Sequence, residues 1–218
     1  EELLAAFIMF ELNIGPLLLV PGVRMEIANT SFSSYSIVAN AINTSGVSGI
    51  PKPVSSERTN EHFFPSLNMK LKLNNTLSLR GAVYKSISRP NFSNLSPRTI
   101  IDSNESNTEI NSKNPLLRPS TAWNYDLSLE AFNSKLGLIT INPFYKRIED
   151  SQVVLNNYFP LRHDRIVNPP AGFFNSIPSV DSYPADFVTN SSYFSLPLNN
   201  PDIAEFYGIE LSVQTNLR

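Results

Sequence analysis

The chain has 218 residues, a net charge of −2 and no cysteine. This charge leaves no basic field that would attract nucleic acid, and the absence of thiols excludes disulfides, thiolate metal sites and a cysteine nucleophile. No apolar run approaches the roughly 18 residues that a transmembrane helix needs, because Pro21 and Gly22 break the longest one. Any contact with a membrane would therefore be made by strands.

Seven segments are predicted as β-strands from their apolar–polar alternation or their composition. In chain order they cover about 1–12, 17–27, 67–73, 77–84, 123–130, 136–149 and 203–214. The clearest two flank Asn74-Asn75 in the same phase, which predicts a hairpin. Pro143 inside the sixth segment predicts a local interruption or a bulge.

Short and long links alternate between these strands. The short links are Asn13–Gly15, Asn74-Asn75 and Asn133–Lys135, and the long ones cover about 29–60, 90–121 and 150–202. A compact soluble domain rarely contains three structureless loops of this length. An outer-membrane β-barrel has tight periplasmic turns and long outer loops, so the spacing favours that class. A soluble β-sandwich remains the alternative, since its strands alternate in the same way.

Aromatic residues occupy two kinds of position. Several lie near the loop ends of strands, where a membrane interface would accommodate them: Phe63, Phe64, Tyr84, Trp123, Tyr125, Phe144, Tyr145, Phe206 and Tyr207. Others fill the third long link, where they are candidates for ligand contact or for a small local core: Tyr158, Phe159, Phe173, Phe174, Tyr183, Phe187, Tyr193 and Phe194.

Charged residues alternate with the apolar positions of the strands. A charge on a lipid-facing surface costs about 2–4 kcal/mol near the midplane for Arg or Lys, so the alternation predicts that they face the lumen. There they could contact a plug or simply keep the lumen hydrated. These candidates are Arg24, Glu26, Lys70, Lys72, Arg80, Asp126, Glu130 and Glu210.

No pattern indicates catalysis or metal binding. His62 and His163 are interpreted as exposed loop residues, since no further ligand stands at metal-site spacing. Glu105 and the pair Glu149-Asp150 could form a glycosidase carboxylate pair, but they are interpreted as solvated acids. We therefore expect neither an enzyme nor a bound cofactor.

A series of short motifs resembles the barrel of TonB-dependent receptors. Pro21–Glu26 is similar to the family's PGxRxE strand, Phe64–Asn68 to its PSLN strand and Tyr84–Phe92 to its YSxSxSRPxF strand end. The later matches are Asn114–Pro119 (GNPxLxPE), Trp123–Asp126 (NYDL), Phe144–Lys146 (FYK) and Tyr207–Glu210 (YGxE). Lys113 and Ser120 depart from the Gly and Glu of that pattern, which leaves the local loop geometry open.

The resemblance implies an all-β, antiparallel up-and-down meander that forms part of a larger barrel of about 22 strands. Residues 1–218 would be a partial barrel domain of about seven strands, without the plug domain, TonB box or closing strands. It implies TonB-energised uptake of a bulky nutrient (siderophore-bound iron, haem, cobalamin or an oligosaccharide) across the Gram-negative outer membrane. The expected partners are outer-membrane lipid, the protein's own plug domain, the TonB complex and that ligand. A passive porin and a soluble β-sandwich adhesin or carbohydrate-binding module are the alternatives.

Overall fold

The computed structural model describes residues 2–39, 52–103, 107–133, 137–162, 165–166 and 191–215. The first strands are β1 (Glu2–Met9), β2 (Leu12–Ile14), β3 (Leu17–Ala39), β4 (Lys52–Lys72) and β5 (Leu77–Ser88). Then come α1 (Phe92–Leu95), β6 (Thr99–Ser103), β7 (Asn107–Ser112), β8 (Ser120–Asn133) and β9 (Gly137–Glu149). The last are β10 (Gln152–Arg162), β11 (Arg165–Ile166), β12 (Ser191–Asn199) and β13 (Ala204–Gln214).

One antiparallel meander makes up the main sheet, which we call the wall. Its order is β1 and β2, then β3, β4, β5, β8, β9 and β13, with β1 and β2 both paired to β3 as one interrupted member. The wall thus has the seven members that the alternation predicts, and the predicted fold class is confirmed. Within the described residues, no helix is long and apolar enough to span a bilayer.

Two short links show why the chain reverses where it does. Gly15 has φ 57° between the paired residues Ile14 and Leu17, a conformation that suits glycine in a two-residue hairpin turn. At the next link, the side-chain oxygen of Asn74 accepts hydrogen bonds from the backbone N–H groups of Thr76 and Leu77, both at 2.8 Å. Asparagine therefore closes this turn with its own side chain.

Pro143 does not produce a bulge in β9. The pairing with β8 has the same register on both sides of it, from Asp126↔Phe144 to Leu129↔Ile141. Only the ladder pairs between these two are interrupted, because proline has no N–H to donate. Of the two predicted outcomes, the local interruption is correct and the bulge is wrong.

Paired residues on neighbouring strands share a face of the wall. Because apolar and polar residues alternate along each strand, one face is mainly apolar and the other mainly polar. One row on the face that we call the apolar face is aliphatic throughout: Leu17, Leu71, Leu79, Leu129, Ile141 and Leu211. Tyr125, Tyr145 and Tyr207 stand together two rows further toward the long links, with the first two rings 5.7 Å apart. Phe64, Tyr84, Phe144 and Phe206 lie on the opposite face, so only part of the predicted aromatic belt faces the same way.

In the residues that the structure describes, each of the long links contributes further β-strand residues. β3 and β4 remain paired as far as Ser36 and Lys52. β6 then adds in parallel to β3, and β7, β12 and β10 follow in order. We call the part formed by the ends of β3 and β4 with β6, β7, β10 and β12 the loop sheet. It joins all three long links into one unit.

The most tightly packed residues lie at the base of the loop sheet. Leu117 and Leu196 are each 1% exposed, and Leu198 and Asn114 are also buried. The wall is a single layer, so most of its apolar side chains stay exposed, including Leu211 at 74%. Close packing therefore centres on the segment 114–119, which we call the NPLLRP segment.

Candidate functional site

The face of the wall opposite the apolar face carries all eight residues predicted to face the lumen. One row across five strands contains Lys70, Arg80, Ser128, Asn142 and Glu210. We call this face the polar face. The predicted set on it is Arg24, Glu26, Lys70, Lys72, Arg80, Asp126, Glu130 and Glu210. Their role in lining a lumen stays a prediction.

Some of these charges are paired and others are not. Arg80 Nε lies 2.7 Å from Glu130 Oε1, and the Ser78 hydroxyl donates to the same carboxylate at 3.0 Å. Within the part of the chain that the structure describes, Lys70, Lys72 and Glu210 form no ion pair. The unpaired lysines are on β4 and Glu210 is on β13, so opposite charges stand at the two sides of this face.

A concave region of about 920 Å³ covers the middle of the polar face. It is lined by charged groups such as Lys70, Arg80 and Lys146 and by the rings of Tyr84 and Phe144. Gly208 allows this arrangement, because a Cβ there would lie 2.9 Å from Phe144 Cζ. The glycine therefore leaves room for the Phe144 ring against β13.

Glu26 is the best connected charge on this face. Its buried carboxylate pairs with Arg24 at 2.7 Å and also with Arg89. Arg89 follows β5, and the pairing of β4 with β5 ends at Ser66 and Tyr84. The segment 89–98 after β5, which we call the covering segment, is thus held over β4 by an ion pair to β3.

A second, smaller cavity of about 400 Å³ lies where that segment covers the polar face. We call it the basic pocket, and its polar lining residues are Thr30, Arg58, Asn60, His62 and Arg89. Its apolar lining comes from the wall, the covering segment and the NPLLRP segment: Leu3, Ala28, Phe32, Pro90, Phe92, Leu95, Pro115, Leu117 and Pro119. The rings of Phe32 and Phe92 are 6.2 Å apart.

Two residues of the basic pocket have incomplete partners. Arg58 donates from Nη1 to the Leu117 carbonyl at 2.6 Å and forms no ion pair with any carboxylate of the described residues. Burial, together with the nearby Arg118 charge, lowers the pKa of Arg58. The Nε2 atom of His62 is buried and has no hydrogen-bond partner among the described residues. Buried polar atoms normally have partners, so this nitrogen is an exception, and it is enclosed by protein rather than open to the pocket.

His62 is therefore not the exposed loop residue that the sequence indicates. It lies in β4, opposite Glu26, and its ring stacks on Phe64 at 5.9 Å. His163 lies outside the described residues. Among the described residues no group of three or more His, Cys, Asp or Glu side chains could hold a metal ion.

The NPLLRP segment connects the long links above the pocket. Asn199 of β12 accepts from the Arg118 N–H at 2.8 Å, and its Nδ2 donates to the carbonyls of Arg118 and Asp150, both at 2.9 Å. Asn114 donates to the Pro197 carbonyl at 3.1 Å, and Arg118 pairs with Asp150 at 2.5 Å. Side-chain amides thus connect the backbone of the NPLLRP segment to β12 and to the turn after β9.

The two departures from the family motif fit this local structure. Lys113 does not have a positive φ, so its side chain causes no strain where the family has glycine. The Ser120 hydroxyl donates to the Asp150 carbonyl at 3.0 Å. This hydrogen bond connects the start of β8 to the turn after β9.

The aromatic candidates of the third link are only partly placed. Tyr158 and Phe159 are in β10, and Tyr193 and Phe194 are in β12, where Tyr158 and Phe194 are Cα partners. Phe173, Phe174 and Tyr183 lie outside the described residues. Contact of any of these residues with a ligand stays a prediction.

Arg58, Arg89 and Asn199 were not among the candidates from sequence. Arg89 and the NPLLRP segment lie inside recognised motifs, which was a signal for their position but not for their contacts. Arg58 and His62 continue the even-numbered phase of β4 beyond Asn68, on the less exposed side of the strand. The alternation of β4 extends back to residue 52, and this is the sequence signal that places Arg58 and His62 on the polar face.

Solved structures of outer-membrane receptors share this fold. A double mutant of the Serratia marcescens hemophore receptor HasR, in complex with its hemophore HasA and heme, aligns with a TM-score of 0.59 at 15% identity, covering 96% of this chain and 31% of that one. A mutant of the ferric enterobactin receptor PfeA from Pseudomonas aeruginosa aligns at 0.54 and 12%, covering 99% and 33%. The siderophore receptor PirA from the same organism aligns at 0.50 and 12%, covering 99% and 39%.

The chain thus spans about a third of each of these proteins. No curated protein sequence matches it. A family model described as TonB dependent receptor-like, beta-barrel, matches residues 2–218. That family consists of outer-membrane receptors that transport rather than catalyse. We conclude that this chain belongs to the TonB-dependent receptor β-barrel family.

Proposed function

We propose that this chain is a sector of the transport barrel of an outer-membrane receptor, which takes up a bulky nutrient using energy delivered through TonB. The single observation that carries the proposal is the division of one continuous wall into an apolar face and a polar face, with the loop sheet at one end. Lipid would contact the apolar face and the nutrient would pass along the polar one.

Among the nutrients considered, an iron siderophore or haem has the best support. The basic pocket offers cationic and aromatic groups at the end of the polar face nearest the loop sheet. The aligned receptors include one for ferric enterobactin and one in complex with heme. Cobalamin is uncharged over most of its surface, and oligosaccharides need mainly hydroxyl contacts. Neither would therefore make full use of the cationic groups of the basic pocket.

The plug domain is the proposed occupant of the middle of the polar face. A plug that presents acidic groups to Lys70 and Lys72 and basic groups to Asp126 and Glu210 would match the charges there. Such pairs fix orientation and register more than they add affinity. The TonB complex would then act on the plug from the periplasmic side.

A growth assay tests the function. The receptor carrying this segment is expressed in a Gram-negative host that lacks its own iron receptors, with ferric enterobactin or haem as the only iron source. We expect growth on one of them, and loss of that growth when TonB is deleted. Growth that persists without TonB would indicate a passive porin and would refute the proposal, as would the absence of growth on both iron sources.

A further inference from the structure

We infer that the unpaired edge of β4 between Pro53 and Pro65, which we call the free edge, is a docking site where an extended basic segment of a partner protein adds as an antiparallel strand. The inference goes beyond nutrient uptake. Binding at this edge is a separate property and is measured without transport.

The backbone of β4 presents alternate residues to its two sides. The Lys72 N–H donates to the Pro16 carbonyl just before β3, whereas the Leu73 N–H donates to the Leu77 carbonyl at the start of β5, both at 3.0 Å. Even-numbered residues of β4 therefore bond toward β3 and odd-numbered ones toward β5. The pairing with β3 keeps one register throughout β4, so this division holds to its far end.

Pro65 accounts for the separation of β5 from β4. Their pairing ends at Ser66 and Tyr84, so Pro65 is the next residue that would bond to β5, opposite Lys85. Proline has no N–H to donate, and the ladder stops there. Among the described residues, no strand pairs with the outer side of β4 beyond this point. The N–H donors that remain on the free edge belong to Ser55, Glu57, Thr59, Glu61 and Phe63.

The free edge is open to a partner from the aqueous side. Leu67 is in the row of Tyr125, Tyr145 and Tyr207, and Pro65 lies one row nearer the loop sheet. The five side chains of the free edge are all exposed. The contact of β4 with the NPLLRP segment is made by an even-numbered residue on the polar face, Arg58. It therefore leaves the edge uncovered.

A row of unpaired N–H and C=O groups is a template for an added strand. Extended peptides bind such edges through main-chain hydrogen bonds, and their alternate side chains give specificity. Pro53 and Pro65 lack the N–H that an added strand would need, so they limit the site to residues 54–64.

Charge selects the class of partner. Glu57 and Glu61 form no ion pair with any residue that the structure describes. Their neighbours on β3, Ser31 and Ile27, are uncharged. Opposite charges on directly opposed residues of two strands stabilise the pair. The added strand should therefore carry Lys or Arg at two positions four residues apart, with an apolar residue opposite Phe63.

A second copy of the chain fits this edge poorly. Antiparallel pairing of two copies centred on Thr59 would place Glu57 opposite Glu61 on both sides of the centre. Like charges in directly opposed positions destabilise a strand pair. The two carboxylates that favour a basic partner thus disfavour self-association, which is a common protection of exposed edges.

The probe is a fluorescently labelled peptide, Val-Thr-Lys-Thr-Thr-Thr-Lys, whose valine lies opposite Phe63 and whose lysines lie opposite Glu61 and Glu57. Fluorescence anisotropy measures its binding to the purified receptor in detergent. We expect saturable binding that weakens about tenfold or more when Glu57→Lys and Glu61→Lys are combined, because two attractive pairs become repulsive. Combining Glu11→Lys with Asp202→Lys makes the same change of net charge at exposed positions outside the edge and should leave binding unchanged.

Methylation of the probe backbone separates strand addition from charge attraction alone. The probe residue opposite Thr59 directs its N–H at β4, whereas the next residue, opposite Arg58, directs its N–H away. An N-methyl group on the first should weaken binding about tenfold or more, and one on the second should have little effect. Replacement of both lysines by glutamate should abolish binding.

Three results would each overturn the inference: no saturable binding, equal binding of the two methylated probes, or equal binding by the edge variant and its charge control. A Thr59→Cys receptor treated with a short bis-maleimide should give no more dimer than the unaltered receptor. A dimer specific to Thr59→Cys would assign the edge to a second copy and would also overturn the inference.

The outcome is separable from that of the proposed function. If the probe binds at the free edge but no TonB-dependent uptake occurs, the function fails and the docking site stands. If uptake occurs but the probe does not bind, the docking site fails and the function stands.

Discussion

Glu26 on β3 and Arg89 beyond β5 form an ion pair that passes over β4, the strand between them. The contact is possible because β4 and β5 separate after Ser66 and Tyr84, which lets the segment after β5 turn over the polar face. Arg24 approaches the same carboxylate from its own strand. Of these three residues, Arg89 lines the basic pocket.

Glu26→Gln should loosen the covering segment without unfolding the wall. The substitution leaves two guanidinium groups without their carboxylate, at a cost of about 1–2 kcal/mol, since both are more than a third exposed. Amide hydrogen exchange should therefore accelerate in residues 89–98. Glu57→Gln, at an exposed position of the same hairpin, is the control. Unchanged exchange in 89–98 would mean that the ion pair does not hold the segment.

Asn199→Asp should detach the third long link from the NPLLRP segment. The carboxylate keeps the contact with the Arg118 N–H but loses two donors to carbonyls, at a cost of about 1–3 kcal/mol. Limited proteolysis should then cleave the third long link faster than in the unaltered protein. Asn200→Asp is the matched control, because among the described residues the Asn200 side chain acts only as an acceptor, for the Asp202 N–H. Equal cleavage of the two variants would contradict the role given to Asn199.

Gly208→Val should destabilise the pairing of β9 with β13 through the Phe144 ring. The added side chain meets Phe144 Cζ and Cε1, and overpacking of this kind costs about 1–3 kcal/mol. Phe144→Ala in the same molecule should recover most of the loss, because it removes the atoms that collide. The free energy of unfolding of the four members of this double-mutant cycle is the measurement. An additive result would show that the ring is not the cause.

Leu211→Arg and Ser212→Arg test which face meets lipid. Neighbouring residues of β13 point to opposite faces, and Leu211 lies within the apolar rows. Arginine at 211 should cost about 2–4 kcal/mol near the bilayer midplane, whereas arginine at 212 should be tolerated on the polar face. The fraction of receptor that assembles in the outer membrane reports the difference. A larger loss for Ser212→Arg would reverse the assignment of the faces.

Much of the wall could be predicted because its signal is local. Alternation depends only on which face each residue shares with its neighbours at i ± 2, so Lys70, Arg80 and Glu210 could be assigned to one face before any pairing was known. The turn at Asn74 is equally local, since asparagine closes it with its own side chain. Pro143 could be recognised from the sequence as an interruption of strand pairing. That β9 keeps its register past this proline depends on its two neighbours, β8 and β13.

The sequence alone determined the seven strands of the wall, their two faces and, through ordered motifs, the family. The tertiary structure decided which distant groups meet. Arg89 reaches Glu26 from 63 residues away, and Asn199 reaches Arg118 from 81. No periodicity encodes such contacts, because they depend on where β4 and β5 separate and on how β6, β7 and β12 add to the loop sheet. His62 illustrates the difference: its phase was readable in the chain, but its burial arises only when a later segment folds over it.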